Sequence, residues 1–342
     1  MAARRKRPGF LFLIVAIFAS GCGPPTVSTP SNAATEFSTP ELTPEITSIV
    51  PEASTSKPAP TQTQILAKTP SATQTSLPTV TVSVTPSNPA ALGLSTGGYP
   101  IEVYRYGDGP IPVILIGGIH GGYEWNTILL AYELIDFFDQ NPDSLSSQLT
   151  VYIIPSANPD GQVRVVGHAS RFSAQDIKGN TFEGRFNGNG VDLNRNWDCD
   201  WSPEAFWRDT KLDPGTEPFS EIETRLLRDF ILNLKPAGVI FWHSAYPAVF
   251  PGECHSPHEP SRFLSEIYAG AAGYPALDSF TSYEVTGDST NWLALQDIPS
   301  IEVELTDHEE TEFERNLKGV LSVLDSLANQ PVATPAETQL GQ

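Results

Sequence analysis

The chain has 342 residues, of which 31 are proline and only 18% are charged, a composition that implies segments of different kinds rather than one uniform globule. Acidic side chains outnumber basic ones 40 to 20, and from residue 91 onward the balance is 36 to 14, so phosphate backbones would be repelled and nucleic-acid binding is excluded. Three cysteines are too few for a disulfide scaffold.

The N-terminus reads as an address. Arg4, Arg5, Lys6 and Arg7 form a basic n-region, residues 10–19 (FLFLIVAIFA) an apolar h-region too short to remain as a membrane span, and Ser20-Gly21 a small-residue cleavage site. Residues 1–21 are therefore expected to be a signal peptide. Ala19-Ser20-Gly21-Cys22 resembles the bacterial lipobox, whose cysteine is lipidated and becomes the mature N-terminus, although Ala19 stands where leucine is usual. The resemblance implies a lipid anchor through Cys22 at the outer face of a bacterial membrane, with ordinary secretion as the alternative; either way the protein is exported. Residues 24–90 hold 12 prolines and 25 serines or threonines among 67 positions, without hydrophobic periodicity, so residues 22–92 are expected to form a disordered stalk. Residues 93–330 suffice for one domain with a large core, and 331–342 reads as a frayed tail.

Within the domain, apolar strands alternate with helix-like stretches. Strands are expected at 101–106 and 113–116, then a helix at 124–138 with Leu130, Leu134 and Phe138 on one face, a strand at 149–154, a helix at 221–234 and a strand at 239–242. Helices at 261–272 and 291–295, a strand at 301–305 and a last helix at 309–327 complete the pattern. This alternation predicts an α/β fold: a mixed, largely parallel sheet with helices on both faces. Ligands then belong beyond the carboxyl ends of the strands.

Two of those ends carry histidines. The strand at 113–116 runs through Gly117-Gly118-Ile119 into His120, with Glu124 opening the next helix, and the strand at 239–242 ends in His243. Two histidines and a glutamate suit a catalytic zinc site with a fourth position left to water; the spacing alone leaves a hydrogen-bonded structural role open. Further segments come in order: Asn158-Pro159-Asp160-Gly161, then Arg185, then Val191-Asp192-Leu193-Asn194-Arg195-Asn196-Trp197, then Phe241-Trp242-His243-Ser244, then Ile301-Glu302-Val303-Glu304-Leu305. With Gly93-Leu94-Ser95 and Pro100-Ile101, they resemble the zinc metallocarboxypeptidase family, carboxypeptidase A-like, and its short bacterial branch in particular. The resemblance spans the domain and none of the stalk.

Carried over residue by residue, the resemblance implies one zinc per chain held by His120, Glu124 and His243, with Glu304 as the general base. Arg185, nine residues before Asn194, would stabilise the oxyanion. Asn194 and Arg195 would grip the substrate's terminal carboxylate, a task suited to a planar guanidinium. Tyr283, nine residues before Trp292, matches a mobile tyrosine that closes over that carboxylate. One departure concerns the metal: the family pattern sets the glutamate three residues after the histidine, whereas here Tyr123 holds that position and Glu124 is one residue later, a shift the Gly121-Gly122 backbone is expected to absorb. Asp192 reads as a supporting residue, and His168, His255, His258 and His308 as solvated loop residues. The acidic run 307–314 reads as a solvated helix start.

Cys199 and Cys254 are the two cysteines of the domain, and export predicts a disulfide between them, tying two loops that border the site. Glu302 and Glu304 alternate to one face of their strand, and by the resemblance Glu302 falls at the floor of the pocket for the terminal side chain, with Asp288 and Thr290 in its wall. A carboxylate there favours a terminal lysine, arginine or diaminopimelate; the alternative is that Glu302 is protonated, or paired with a nearby base, and only structural. The expected function is an exported zinc-dependent carboxypeptidase that releases C-terminal residues from peptides by metal-activated water. A peptidoglycan stem-peptide amidase is the second reading, and a metal-free wall- or peptide-binding lipoprotein the third.

Overall fold

Three apolar runs with few polar side chains, at 111–116, 149–154 and 238–244, become inner strands, positions where both faces are covered. The computed structural model describes residues 89–329; the expected signal peptide, Cys22, most of the expected stalk and the tail from 331 lie outside the described residues. In chain order come β1 (Ala90–Leu94), β2 (Pro100–Tyr106), β3 (Ile111–Ile116), α1 (Trp125–Gln140), β4 (Leu149–Ile154), α2 (Pro159–Val166), β5 (Ala205–Trp207) and β6 (Thr210–Leu212). After them come α3 (Ile222–Leu234), β7 (Gly238–Ser244), β8 (Ala248–Pro251), α4 (Glu259–Ala272), α5 (Ser289–Leu295), β9 (Ser300–Leu305) and α6 (Phe313–Asn329). Strand β1 opens at Ala90, so the fold starts three residues before the expected boundary at 93.

Seven strands form one sheet in the order β1-β2-β4-β3-β7-β9-β8, and β5 and β6 make a separate hairpin. The inner four, β4, β3, β7 and β9, run parallel, and the flanking strands pair antiparallel. Side-chain alternation feeds two cores. Val113, Leu115, Ile240, Trp242, Ile301 and Val303 pack under α1, α4 and α6, while Ile114, Ile116, Val239 and Phe241 pack under α3 and α5. Each fully buried Leu, Ile or Phe contributes about 1.5–3 kcal/mol. Because Ile301, Val303 and Leu305 face the first core, Glu302 and Glu304 face the other side of the sheet.

Local chemistry sets the boundaries. Leu130, Leu134 and Phe138 are buried on one face of α1, and the helix stops where Asn141 precedes Pro142. The Asn158-Pro159-Asp160-Gly161 segment, a turn by composition, is the start of α2: the Asn158 side chain accepts from the Gly161 amide at 2.9 Å, Pro159 takes the first helical position, and Gly167 ends the helix at φ 98°. The last helix begins at Phe313 rather than at 309. The Asp307 side chain accepts from the amides of Glu309 and Glu310 at 2.8 Å each, and Glu312 accepts from Thr306, so the acidic run is held in a bonded loop.

The chain passes from β3 through α1 to β4 on one side of β3, and later lands β7 on its other side. Loops leaving β3 and β7 therefore part, and a crevice opens beyond their carboxyl ends.

Candidate active site

His120, Glu124 and His243 meet in that crevice, each at most 4% exposed. Both imidazoles turn Nδ1 toward one carboxylate: His120 Nδ1 lies 2.8 Å from Glu124 Oε1, His243 Nδ1 lies 3.2 Å from Glu124 Oε2, and the two Nδ1 atoms are 3.3 Å apart. Ligands of a tetrahedral zinc, held at about 2.0–2.1 Å, are roughly 3.3 Å from one another, so these residues fit the ion. Glu124 Oε2 is buried without a hydrogen bond among the described residues, which suits a donor atom directed at a cation.

Backbone packing makes the altered spacing work. His120 leads into a 3-10 turn, Gly121–Glu124, with Gly121 at φ +47°. A Cβ at Gly121 would lie 2.6 Å from the Gly184 carbonyl oxygen, and one at Gly161 only 2.1 Å from it. Three backbone segments thus touch directly, and the contact sets Glu124 beside His120 and delivers Arg185 from the turn Phe182–Arg185.

The electrostatics ask for more positive charge than the chain supplies. Burial would raise the Glu124 carboxyl, yet His120 and His243 hold it well below the usual carboxylate range. Burial would lower His243, but Glu302 and Glu124 push it up to about 10. Glu304 is pushed well above the carboxylate range, by burial first and then by Glu302 and Glu124. It lies opposite His243 in the β7–β9 register. Glu302 is raised by burial, with Asp288 adding to it against His243. A divalent cation at the imidazole pair would supply that charge and relieve the repulsion among Glu124, Glu302 and Glu304.

Arg185, 2% exposed, donates through Nε to Asp192 Oδ2 at 2.6 Å. Asp192 Oδ1 faces His120 Nε2 at 3.4 Å, an ion-pair distance without a well-formed hydrogen bond. Asp192 thus joins the arginine to the histidine, the supporting place expected for it. Arg195, 3% exposed, donates to the carbonyls of Asn194 (2.6 Å) and Phe206 (3.5 Å), neither of them charged, and its Nε has no partner among the described residues. A buried guanidinium without a counter-ion is costly unless an anion arrives to meet it. Asn194 is bound on both sides: its amide nitrogen donates to Asp288 at 2.8 Å and its oxygen accepts from the Ser289 amide at 3.0 Å, leaving one N–H free.

These residues line a cavity of about 390 Å³. Tyr283 borders it, its ring 4.8 Å from that of Phe280, and Glu302, Asp288 and Thr290 lie in its wall. The Asp288 oxygens are taken by Thr290, Asn291 and Asn194, so this carboxylate caps α5. Cys199 and Cys254 are bonded, with Cα atoms 6.2 Å apart, and the Cys199 carbonyl accepts from Gly287 just before Asp288.

Several cavity residues were not expected. His308 departs from its reading as a solvated residue: its Nδ1 is 2.9 Å from Ser244 Oγ and its ring 4.8 Å from Tyr123. His258 is not loosely solvated either, with Ser261 Oγ at 2.7 Å, while His168 and His255 are exposed. Glu253, Tyr123 and Trp207 border the cavity, and the Tyr123 ring packs edge-on against those of Phe182 and Trp207, which are tilted 37° to each other. The hairpin that brings Trp207 and Arg208 carries no apolar periodicity, which is why the sequence did not announce it.

Comparison with known proteins agrees with this geometry. The family model for the zinc carboxypeptidases matches residues 75–317. Zinc carboxypeptidase A 1 of Anopheles gambiae is 33% identical over 212 residues, 55% of this chain and 46% of that protein. Murein peptide amidase A of Escherichia coli K12 is 34% identical over 120 residues, 32% of this chain and 46% of that protein. The chain thus spans about half the length of these relatives. The crystal structure of carboxypeptidase A from Helicoverpa armigera superposes with a TM-score of 0.55 at 22% identity, over 70% of this chain and 68% of that one, a likeness of fold.

Proposed function

The chain belongs to the zinc carboxypeptidase family, and from that premise we propose that it is an exported, lipid-anchored zinc carboxypeptidase removing C-terminal residues from peptides. The observation that carries the reading is the buried His120–Glu124–His243 trio, with Glu304 across from His243 and two buried guanidiniums in the same cavity. His120, Glu124 and His243 would hold the zinc, one ion per chain. When bound, the zinc supplies a Lewis acid that polarises the scissile carbonyl and makes water a nucleophile near neutral pH. Glu304 takes the proton of the attacking water and passes it to the leaving amine. Arg185, held by Asp192, meets the negative charge that develops on the carbonyl oxygen. Arg195 binds the terminal carboxylate with its unpartnered Nε, helped by the free N–H of Asn194, and Tyr283 covers it. Export and the anchor at Cys22 rest on the N-terminal sequence alone.

A second reading, a peptidoglycan stem-peptide amidase, is favoured by the pocket chemistry. Glu302 and Glu253 border the cavity, and Glu302 has a single charged partner among the described residues, His243 at 3.9 Å, so a cationic side chain of the substrate would find a carboxylate there. A diaminopimelate side chain offers such an ammonium, as do lysine and arginine. Zinc content and release of terminal Lys, Arg, Phe and diaminopimelate test both readings on one sample. About one zinc per chain, lost in His243→Ala together with turnover, is expected, with the basic residues released faster than Phe and the ranking altered in Glu302→Thr. A chain that stays metal-free after zinc reconstitution refutes the enzyme and leaves a binding lipoprotein.

A further inference from the structure

One short hairpin touches three guanidiniums. The Phe206 carbonyl accepts from Arg195, the Trp207 ring centre lies 5.7 Å from the guanidinium carbon of Arg185, and that of Arg208 lies 5.2 Å over the same ring. Arg185 is matched by Asp192, and Arg195 by the substrate's terminal carboxylate in the proposed reaction. Arg208 remains. Its side chain makes no hydrogen bond or ion pair with any described residue, in a region where 36 acidic residues surround 14 basic ones. An exposed arginine in so acidic a field pairs easily; this one is held instead over Trp207, at the first position of the two-residue β5–β6 turn, where a positive φ, here 56°, is what the hairpin requires.

The surroundings of Arg208 resemble a subsite wall. Arg208 borders the main cavity and a second one of about 380 Å³ that adjoins it through Arg208, Tyr283 and Glu284. Of the two carboxylates there, Glu204 is paired with Lys211 at 3.1 Å, and Glu284 is exposed. Trp207 is fixed against Tyr123 (6.0 Å) and Phe182 (5.9 Å), so Arg208 projects from a packed support. The hairpin meets Arg195 at its Phe206 carbonyl and Arg185 at its Trp207 ring before it turns at Arg208, so the three guanidiniums follow one another along it. A peptide with its terminal carboxylate at Arg195 and its scissile carbonyl at Arg185 brings the preceding residue to Arg208.

We infer that Arg208 reads a second carboxylate of the substrate, carried by the residue upstream of the scissile bond. The inference rests on the carboxypeptidase reading and narrows its substrates to peptides with an acidic group before the terminal residue. That group is either the side chain of an ordinary glutamate or the free α-carboxylate of a γ-linked glutamyl residue.

Two pairs of substrates, both ending in lysine, separate the possibilities: α-linked Glu against Gln, and γ-linked glutamate against its α-amide. The wild type is expected to prefer the anionic member of at least one pair by about 5- to 20-fold in kcat/KM, chiefly through KM, between the range of exposed ion pairs and that of charge-assisted hydrogen bonds. Arg208→Gln should bring the members of that pair together and Arg208→Glu should invert them, and the pair that responds identifies the source of the carboxylate. Hydrolysis without the preference, or a preference that survives Arg208→Gln, overturns the inference while leaving the carboxypeptidase reading intact. Calorimetric binding of the same peptides to zinc-loaded Glu304→Gln reads the discrimination without turnover. Binding with the preference but no hydrolysis by the wild type overturns the catalytic reading alone, and absence of binding overturns both.

Discussion

Asp192→Asn isolates the residue that ties Arg185 to His120 of the candidate metal trio. Asp192 is fully buried, accepts from Arg185 Nε at 2.6 Å and from the Asn194 amide at 3.0 Å, and faces His120 Nε2 at 3.4 Å. Every one of these neighbours is a donor, so an asparagine amide nitrogen must point at a donor whichever way it turns. Arg185 then keeps only Glu124, 3.9 Å away, as a carboxylate partner. Breaking one side of a buried ion pair costs about 3–5 kcal/mol. For a domain of this size that corresponds to a fall in Tm of roughly 10 °C in the zinc-free protein. The loss of the carboxylate behind His120 should also weaken zinc binding about 10- to 100-fold. Thermal unfolding in chelator and zinc competition with a coloured chelator measure the two effects separately. A variant within about 3 °C of wild type whose zinc affinity drops less than about threefold would refute the linkage argued from these distances.

Three further outcomes are expected. Glu304→Gln keeps the zinc and peptide binding but lowers kcat by about 10²- to 10⁴-fold, the range for loss of a general base; a smaller loss would move the base elsewhere. Arg195→Ala costs about 2–5 kcal/mol in kcat/KM for free-acid peptides and much less for amidated ones. Because this buried cation has no counter-ion, the same variant should be no less stable than wild type, and a clear fall in Tm would contradict the assignment. Glu312 is held below its ordinary value, against its burial, by the Thr306 amide and by Arg315, so its contribution to stability is present above the unfolded pKa and lost as pH falls through the folded one. Glu312→Gln should therefore cost about 1–2 kcal/mol at pH 7 and converge with wild type below about pH 4; a gap that persists in acid would rule out the charge as its source.

The sheet and its main helices were legible because burial on two faces leaves a strong pattern. Runs such as Ile111–Ile116 have no other place in a water-soluble fold, and the repeat of Leu130, Leu134 and Phe138 fixes α1. Failures fell where local hydrogen bonding competes with periodicity. Asn158-Pro159-Asp160-Gly161 carries the residues of a turn, and the same residues cap a helix; only the residues after Gly161, which continue as a helix here, distinguish the two. Asp307 and Glu312 fold their side chains back onto nearby amides, which delays α6 to Phe313 although the acidic run suits a first helical turn. Strand β8 and the β5–β6 hairpin, with at most four residues per strand, are too short to show a period.

The site divides along a different line. His243 and Glu304 stand at strand ends and His120 just beyond one, and they were named by a resemblance whose motifs include those strands. Glu124 was named by the same resemblance despite its extra residue of spacing, and the shift is taken up by glycines of three segments distant in sequence, Gly121, Gly161 and Gly184, packed carbonyl to Cα. Arg208 and His308 were illegible for a related reason: each stands on a loop whose course is dictated by contacts to other loops, Trp207 on Tyr123 and His308 on Ser244. The metal half of the site is therefore carried by the sheet, and the half that meets the body of the substrate by loops packed upon loops. Loops tolerate substitution far better than inner strands do. The cavity-wall residues Trp207, Arg208, Phe280 and Tyr283 thus stand on a different part of the fold from the strand ends that place the candidate metal trio.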